Sequence, residues 1–274
     1  MPTKGNAVIG QSGGPTAVIN QSLVGAIEAL HTYGEIDKIL GAKHGVRGII
    51  SISDITSERF IGWSHYDGPS QLLPNSIRAD RYGIRPKNRA LVSRYNLDGK
   101  RVLMTLGRVV AAERYKGFDE VLEVLPNLDA DVSYVIAGGG NDIPRLQRKA
   151  VSLGVADRVV FTGLFPEEEK ADLYNLADVY VMPSRGEGFG FVFLEALACG
   201  VPVIASRLDG GREAVLGGQL GQLVDPTNPA EIRLAIADAL ASGKKQIPEG
   251  LAYFSYGNFE RRTHAIVDGL ATNA

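Results

Sequence analysis

From residue 101 onward the chain alternates short apolar runs with amphipathic stretches at close spacing, the pattern of successive βα units that feed a parallel sheet. The apolar runs at 102–106, 133–137, 159–162, 179–182, 201–205 and 222–224 predict strands, each apolar on both faces as a buried parallel strand requires. The intervening stretches predict helices over 117–124, 142–153, 167–176, 190–199, 211–216 and 230–241, and a last helix over 258–270. The first 50 residues carry a shorter pattern of the same kind, with a strand at 6–9, a helix at 16–31 and a strand at 38–42. Two strands bury too little to form a core by themselves. Between 51 and 99 the periodicity dissolves into turn formers such as "HYDGPSQLLPNS" and "YGIRPKN". The junction is therefore placed there, with 1–70 as leader and junction and 71–274 as the main domain.

Composition narrows the chemistry. The 274 residues are 45% hydrophobic and 22% charged, with net charge −2 and no block of like charge, which argues against a nucleic-acid surface and for small-molecule partners. No apolar run reaches the length of about 18 residues that a membrane span needs, and the N-terminus lacks a signal-peptide pattern, so no transmembrane segment is expected. The single Cys199 forms no internal disulfide, which fits a cytoplasmic setting. His31, His44, His65 and His264 are isolated and show no metal spacing.

The strongest site signal is "SRGEGFGFVFLEALACGVPVIAS", 184–206. A strand ends before it, Gly186, Gly188 and Gly190 let the backbone come close to a ligand, and a helix begins near Gly190 with its free N–H groups facing that ligand. Glu187 lies in the loop and Glu195 about a turn and a half into the helix, so two carboxylates flank one anion seat. Carboxylates repel phosphate and suit the hydroxyls of a ribose or hexose. A plain strand-to-helix turn with solvated glutamates would use the same residues. Against it stand the cations of "GRVVAAERYKGFDE", which place Arg108, Arg114 and Lys116 on the carboxyl edge where α/β sheets bind ligands. Asp209 and Glu213 read as acidic charges at the start of the helix near 211. A second glycine-rich loop, "GQSGGPTAVINQS" at 10–22, has neither dinucleotide nor P-loop spacing.

From about 72 to 270 these residues resemble the C-terminal, nucleotide-sugar-binding domain of the retaining family 4, or group 1, glycosyltransferases. The likeness is carried by "LPNS" (73–76), "TLGRVVAAERYKGFDEVLE" (105–123), "YVIAGGG" (134–140), "LGVADRVVFTG" (153–163), "LADVYVMPSRGEGFGFVFLEALACGVPVIAS" (176–206) and "GGREAV" (210–215). It implies an α/β protein with a Rossmann-like parallel sheet domain of the GT-B type, here behind a short N-terminal βαβ unit. It assigns Arg108 and Lys116 to the donor diphosphate, Glu187 to the donor sugar hydroxyls and Glu195 to the ribose. It further assigns the loop of Gly186, Gly188, Phe189 and Gly190 to the sugar and phosphates, and it places Gly138 in the donor site and Phe161 and Thr162 beside the base. The implied activity is hexosyl transfer from a nucleotide sugar with retention of configuration, independent of metal and of any cofactor, the leaving phosphate accepting the acceptor's proton. The alternative is a module that binds a nucleoside diphosphate or its sugar without transfer.

The leader resembles a different family. "GNAVIGQSGGPTAVINQSLVGAIEAL" (5–30) and "GAKHGVRGII" (41–50) are similar to the N-terminus of pyrophosphate-dependent phosphofructokinases, where the glycine pair, here Gly13 and Gly14, faces the phosphoryl donor. The remaining phosphofructokinase motifs have no counterpart, and "GGGND" at 138–142 sits inside the glycosyltransferase pattern, so that activity is not expected. The leader does not match the acceptor domain that precedes the donor domain in glycosyltransferases, and the chain reads as a chimera.

Overall fold

The structure, a computed structural model, describes residues 5–8, 36–40, 49–65, 67–243 and 245–272. The chain divides into two compact units, Met1–Arg78 with Ala252–Ala274, and Ala79–Leu251. In the first, β1 (Gly5–Val8) and β2 (Ile36–Leu40) pair in parallel with Asn6 opposite Lys38, close to the leader strands that the pattern predicts. The helix expected at 16–31, the loop of Gly13 and Gly14, and His31 and His44 lie outside the described residues.

The stretch expected to be irregular holds a second parallel βαβ unit: β3 (Ile49–Ser51), α1 (Asp54–Ser64) and β4 (Ser70–Leu72). Both strands are three residues long and β4 is exposed throughout, so neither carries the apolar run by which a strand is recognised. The helix start is nevertheless written locally, because the Ser53 hydroxyl accepts the Thr56 N–H at 3.1 Å as an N-cap.

The second unit contains α2 (Arg89–Arg94), β5 (Arg101–Leu106), α3 (Phe118–Val124), β6 (Val132–Ala137), α4 (Ile143–Ser152), β7 (Val159–Gly163) and α5 (Lys170–Leu176). It continues with β8 (Val179–Met182), α6 (Phe191–Ala198), β9 (Val203–Ser206), α7 (Gly211–Ala214), β10 (Gln222–Val224) and α8 (Pro229–Ser242). All six predicted strands are present. Of the α-helices in this unit, only the six-residue α2, capped by the Asn88 side chain, is unforeseen. A final helix, α9 (Tyr256–Thr272), belongs to the first unit.

The six strands form one parallel sheet in the order β10-β9-β8-β5-β6-β7. Every residue of β6, β8 and β9 is buried, as predicted, whereas β7 and β10 are partly exposed because they are the two edges. Leu103, Tyr134, Ile136 and Val181 of the sheet pack with Val121 and Leu122 of α3 and Ile232 and Ile236 of α8. The polar atoms inside are paired: Tyr134 donates to Thr105 Oγ1 at 2.8 Å, and Thr105 donates to the Val181 carbonyl across β5 and β8. The chain runs from β5 outward to β7, then returns to the other side of β5 to begin β8. The sheet thus has its topological switch point between β5 and β8, the place where parallel α/β sheets form a ligand crevice at their carboxyl ends.

A charged network covers α3 and α4. Arg145 bridges Asp119 and Asp142, Arg114 also reaches Asp142 at 2.9 Å, and Lys149 joins Asp119 and Glu123. Hydrogen bonds from Arg145 above all, then Arg114, hold the Asp142 carboxyl down to about 2 against the opposing effect of burial. A depressed folded-state value stabilises the fold above the unfolded value near 3.9 and is lost as pH falls toward 2, worth on the order of 1–2 kcal/mol after solvent screening. Urea unfolding of Asp142→Asn is thus expected to give lower stability than the native chain at pH 7, with the gap narrowing at pH 2.5. A gap independent of pH would contradict the assignment.

Candidate functional site

The crevice is built from five loops at the carboxyl edge of the sheet. The loop after β5 is stitched to its neighbour by backbone bonds of 2.9 Å from Gly107 to the Ala137 carbonyl, from Val109 to the Gly139 carbonyl, and from Asp142 to the Val109 carbonyl. Gly138 is required by this approach: its φ is +138°, and a Cβ there would lie 2.0 Å from the Gly107 carbonyl oxygen. Its N–H donates to Thr162 Oγ1 at 3.1 Å, and Thr162 donates in turn to the Gly163 carbonyl at 2.8 Å. Phe161, beside Thr162, packs against the edge of the core. The sequence-predicted Gly138, Phe161 and Thr162 thus share one corner of the edge, at the ends of β6 and β7.

The cations sit at the end of β5. Lys116 Nζ lies 2.8 Å from Glu113 Oε2, and Arg108 pairs with Glu113 Oε1. The three differ in accessibility: the Arg108 side chain is 65% exposed, Lys116 13% and Glu113 11%. Glu113 therefore bridges the two predicted diphosphate cations as an internal counterion. Sequence reading passed over it because one Glu among charged loop residues carries no spacing signal. Arg114, grouped with these cations from the sequence, is instead turned to Asp142. That carboxylate approaches from the loop after β6, which no local pattern connects to Arg114.

Across the crevice, the loop after β8 is tied to the first by the Arg185 N–H on the Tyr115 carbonyl at 2.8 Å. Gly186 backs onto the Tyr115 ring. Phe189 is buried, with its ring edge-on to Phe191 at 6.1 Å. Gly190 caps α6 in the left-handed region at φ +86°, and a Cβ there would strike the Phe193 ring at 2.6 Å. The Gly188 carbonyl faces Gly210, where a Cβ would approach to 2.1 Å, so this loop also closes on the loop after β9.

One carboxylate, that of Asp209, holds that closure. The Glu187 N–H donates to Asp209 Oδ2 at 2.9 Å, and Asp209 Oδ1 accepts the Gly211 N–H at 3.0 Å. Asp209 does start α7, as its position predicted, but it also anchors the Glu187 loop and is fully buried. Burial raises the Glu187 carboxyl above the ordinary range. Lys116 opposes that rise, and Asp209 adds to it. Glu195 lies in a separate group, 2% exposed, accepting from Tyr82, Lys170 and Tyr174 at 2.7 Å each. None of those three donors was singled out in sequence, since tyrosines on an apolar face read as core. Gly13 and Gly14 lie outside the described residues.

A cavity of about 220 Å³ lined by Arg101, Asp178 and Lys245 opens at the opposite, amino edge of the sheet, away from the cations and glycines. Its charges are engaged, Asp178 with Lys87 at 2.6 Å and Lys245 with the Asn175 carbonyl at 2.8 Å. Chemically, the carboxyl-edge crevice offers two cations for an anion, backbone edges for close approach, and the Glu187 carboxylate for hydroxyls.

The family described as Glycosyl transferases group 1 matches residues 92–248. Over 225 residues the chain is 37% identical to a GDP-mannose-dependent alpha-(1-6)-phosphatidylinositol monomannoside mannosyltransferase of Mycolicibacterium smegmatis, covering 77% of this chain and 58% of that protein. Over 129 residues it is 39% identical to a D-inositol 3-phosphate glycosyltransferase of Acidothermus cellulolyticus, covering 45% of this chain and 29% of that protein. The chain thus spans little more than half the length of the mannosyltransferase relatives it matches. Among solved structures, Anabaena Alr3699/HepE in complex with UDP superposes with a TM-score of 0.71 at 19% identity, covering 90% of this chain and 77% of that one. Sucrose-phosphate synthase from Thermosynechococcus elongatus does so with a TM-score of 0.69 at 24% identity, covering 84% and 60%. At such identities these two likenesses concern the fold alone.

Proposed function

The chain belongs to the group 1 glycosyl transferases, with an α/β, Rossmann-like sheet of the GT-B type, and from that premise we propose that it transfers a hexose from a nucleotide sugar with retention of configuration. The observation that carries the reading is the convergence of Arg108 and Lys116 with Glu187 at the point where the sheet reverses direction. In this mechanism Arg108 and Lys116 bind the donor diphosphate and stabilise the charge that grows on it as the glycosidic bond breaks. Glu187 accepts from the sugar hydroxyls and Glu195 from the ribose. Backbone at Gly186, Gly188, Phe189 and Gly190 faces the sugar and phosphates. Gly138, Phe161 and Thr162 line the base. The leaving phosphate takes the acceptor's proton, so no side-chain base is assigned, and the two cations do the work that a metal would otherwise do.

The relative named GDP-mannose-dependent supports GDP-mannose as the donor. A thermal-shift panel of GDP, UDP, ADP and their sugars tests this. GDP and GDP-mannose are expected to raise the melting temperature most, by the equivalent of about 2.7 kcal/mol at a hundred times Kd. GDP release from GDP-mannose should follow and should persist in EDTA. Binding without release would favour the second reading, a nucleotide-sugar-binding module. No shift with any ligand would overturn both. We further propose that 5–50 is a phosphofructokinase-like segment fused to a donor domain, on the strength of its glycine-pair motif, and that the protein acts in the cytoplasm. Amplification of source DNA across codons 45–72 checks the fusion, since a natural chimera yields one continuous product.

A further inference from the structure

Glu195 is a buried carboxylate with three donors. Tyr82 and Lys170 both meet Oε1 at 2.7 Å, and Tyr174 meets Oε2 at 2.7 Å. An ionised carboxylate offers about four acceptor positions, two on each oxygen. Oε1 is therefore filled, and Oε2 keeps one position open. The donors come from separate parts of the second unit: Tyr82 from the stretch before α2, and Lys170 and Tyr174 from α5. The rings of Tyr82 and Tyr174 meet edge-on at 6.2 Å, so the hydroxyls are held by packing as well as by their own bonds. Burial, and then the charge of Glu195, raises both phenols above their ordinary value, so they remain donors at neutral pH.

We propose that Tyr82 is a positioning residue for the donor nucleotide: by filling Oε1 it leaves Glu195 a single acceptor, on Oε2, for one ribose hydroxyl. The inference rests on the reading that Glu195 meets the ribose. Without the Tyr82 hydroxyl, Oε1 regains an empty acceptor position and one of the bonds that fix the carboxylate is lost. Both oxygens can then turn toward a ligand or toward water, and the selection of one hydroxyl weakens.

The test is calorimetric binding of GDP, UDP and their 2′-deoxy and 3′-deoxy forms to the full chain and to Tyr82→Phe, which keeps the ring and its packing. The native chain should bind a ribonucleotide about 10- to 100-fold more tightly than one of its deoxy forms, the worth of a hydrogen bond to a charged group. Tyr82→Phe should weaken the ribonucleotide about tenfold and leave that deoxy form unchanged, so that discrimination collapses. In turnover the same variant should raise KM with kcat nearly constant. Equal weakening of both forms, or none, would overturn the positioning role while leaving the diphosphate site intact. Native binding without discrimination would remove the ribose role of Glu195 and this inference with it, and absence of nucleoside diphosphate binding would remove the proposed function as well.

Discussion

Replacing Lys116 by Ala is expected to lower kcat/KM for GDP release from GDP-mannose by about a hundred- to a thousandfold, the loss typical of removing one preorganised group that stabilises developing charge. Lys116 is the better placed of the two cations. Its side chain is 13% exposed, against 65% for Arg108, so its charge acts where water screens it least. It also faces Glu187, whose carboxyl it holds down against burial and the nearby Asp209. Taking Lys116 away leaves only the backbone N–H groups of Gly188 and Phe189 to oppose burial and Asp209. Glu187 then protonates at a higher pH, and the acid limb of the rate profile moves upward relative to the native chain. A variant with unchanged kcat/KM would sink the assignment of Lys116 to the diphosphate; a slow variant whose acid limb stays in place would sink its coupling to Glu187.

The second large effect is structural. Gly138→Ala puts a methyl group 2.0 Å from the Gly107 carbonyl oxygen, at a φ of +138° that side chains rarely adopt. The obstacle is backbone, held by the bonds that stitch the β5 and β6 loops, so it does not move aside cheaply. A loss of about 4 kcal/mol or more is expected, at the exceptional end for one substitution. Gly154→Ala is the control. Its φ of +69° also disfavours a side chain, yet nothing lies within 4 Å of the added Cβ, and about 1–2 kcal/mol is expected from conformation alone. Urea unfolding of both variants measures the difference, and similar midpoints would show that the close approach at Gly138 is relieved by movement.

The two effects mark what could be read from the residues alone. Strands buried on both faces, β6, β8 and β9, announce themselves as unbroken apolar runs, and the glycines before α6 announce a turn with a backbone edge. The three-residue β3 and β4 do not, because burial on so short a segment leaves no period to detect. Within the proposed site, the sequence pattern indicates that Arg108, Lys116 and Glu187 follow the ends of strands and that Glu195 lies in the helix after β8. It does not indicate their partners: Tyr82 is 113 residues from Glu195, and Asp209 is 22 residues from Glu187. The first pair is made by a long-range return of the chain and the second by the pairing of β8 with β9, and neither falls within one helix or strand period.

The loop after β5 joins two cations to one carboxylate within itself, and Glu113 gives the crevice an occupant of its own. One of the two positive charges is already cancelled, so a lone sulfate or inorganic phosphate finds Arg108 engaged and must compete with a covalently tethered rival at very high local concentration. A ligand that also grips through a ribose, a base and a sugar can displace that rival, whereas charge alone is a poor credential. The crevice is in this sense guarded against the abundant small anions around it.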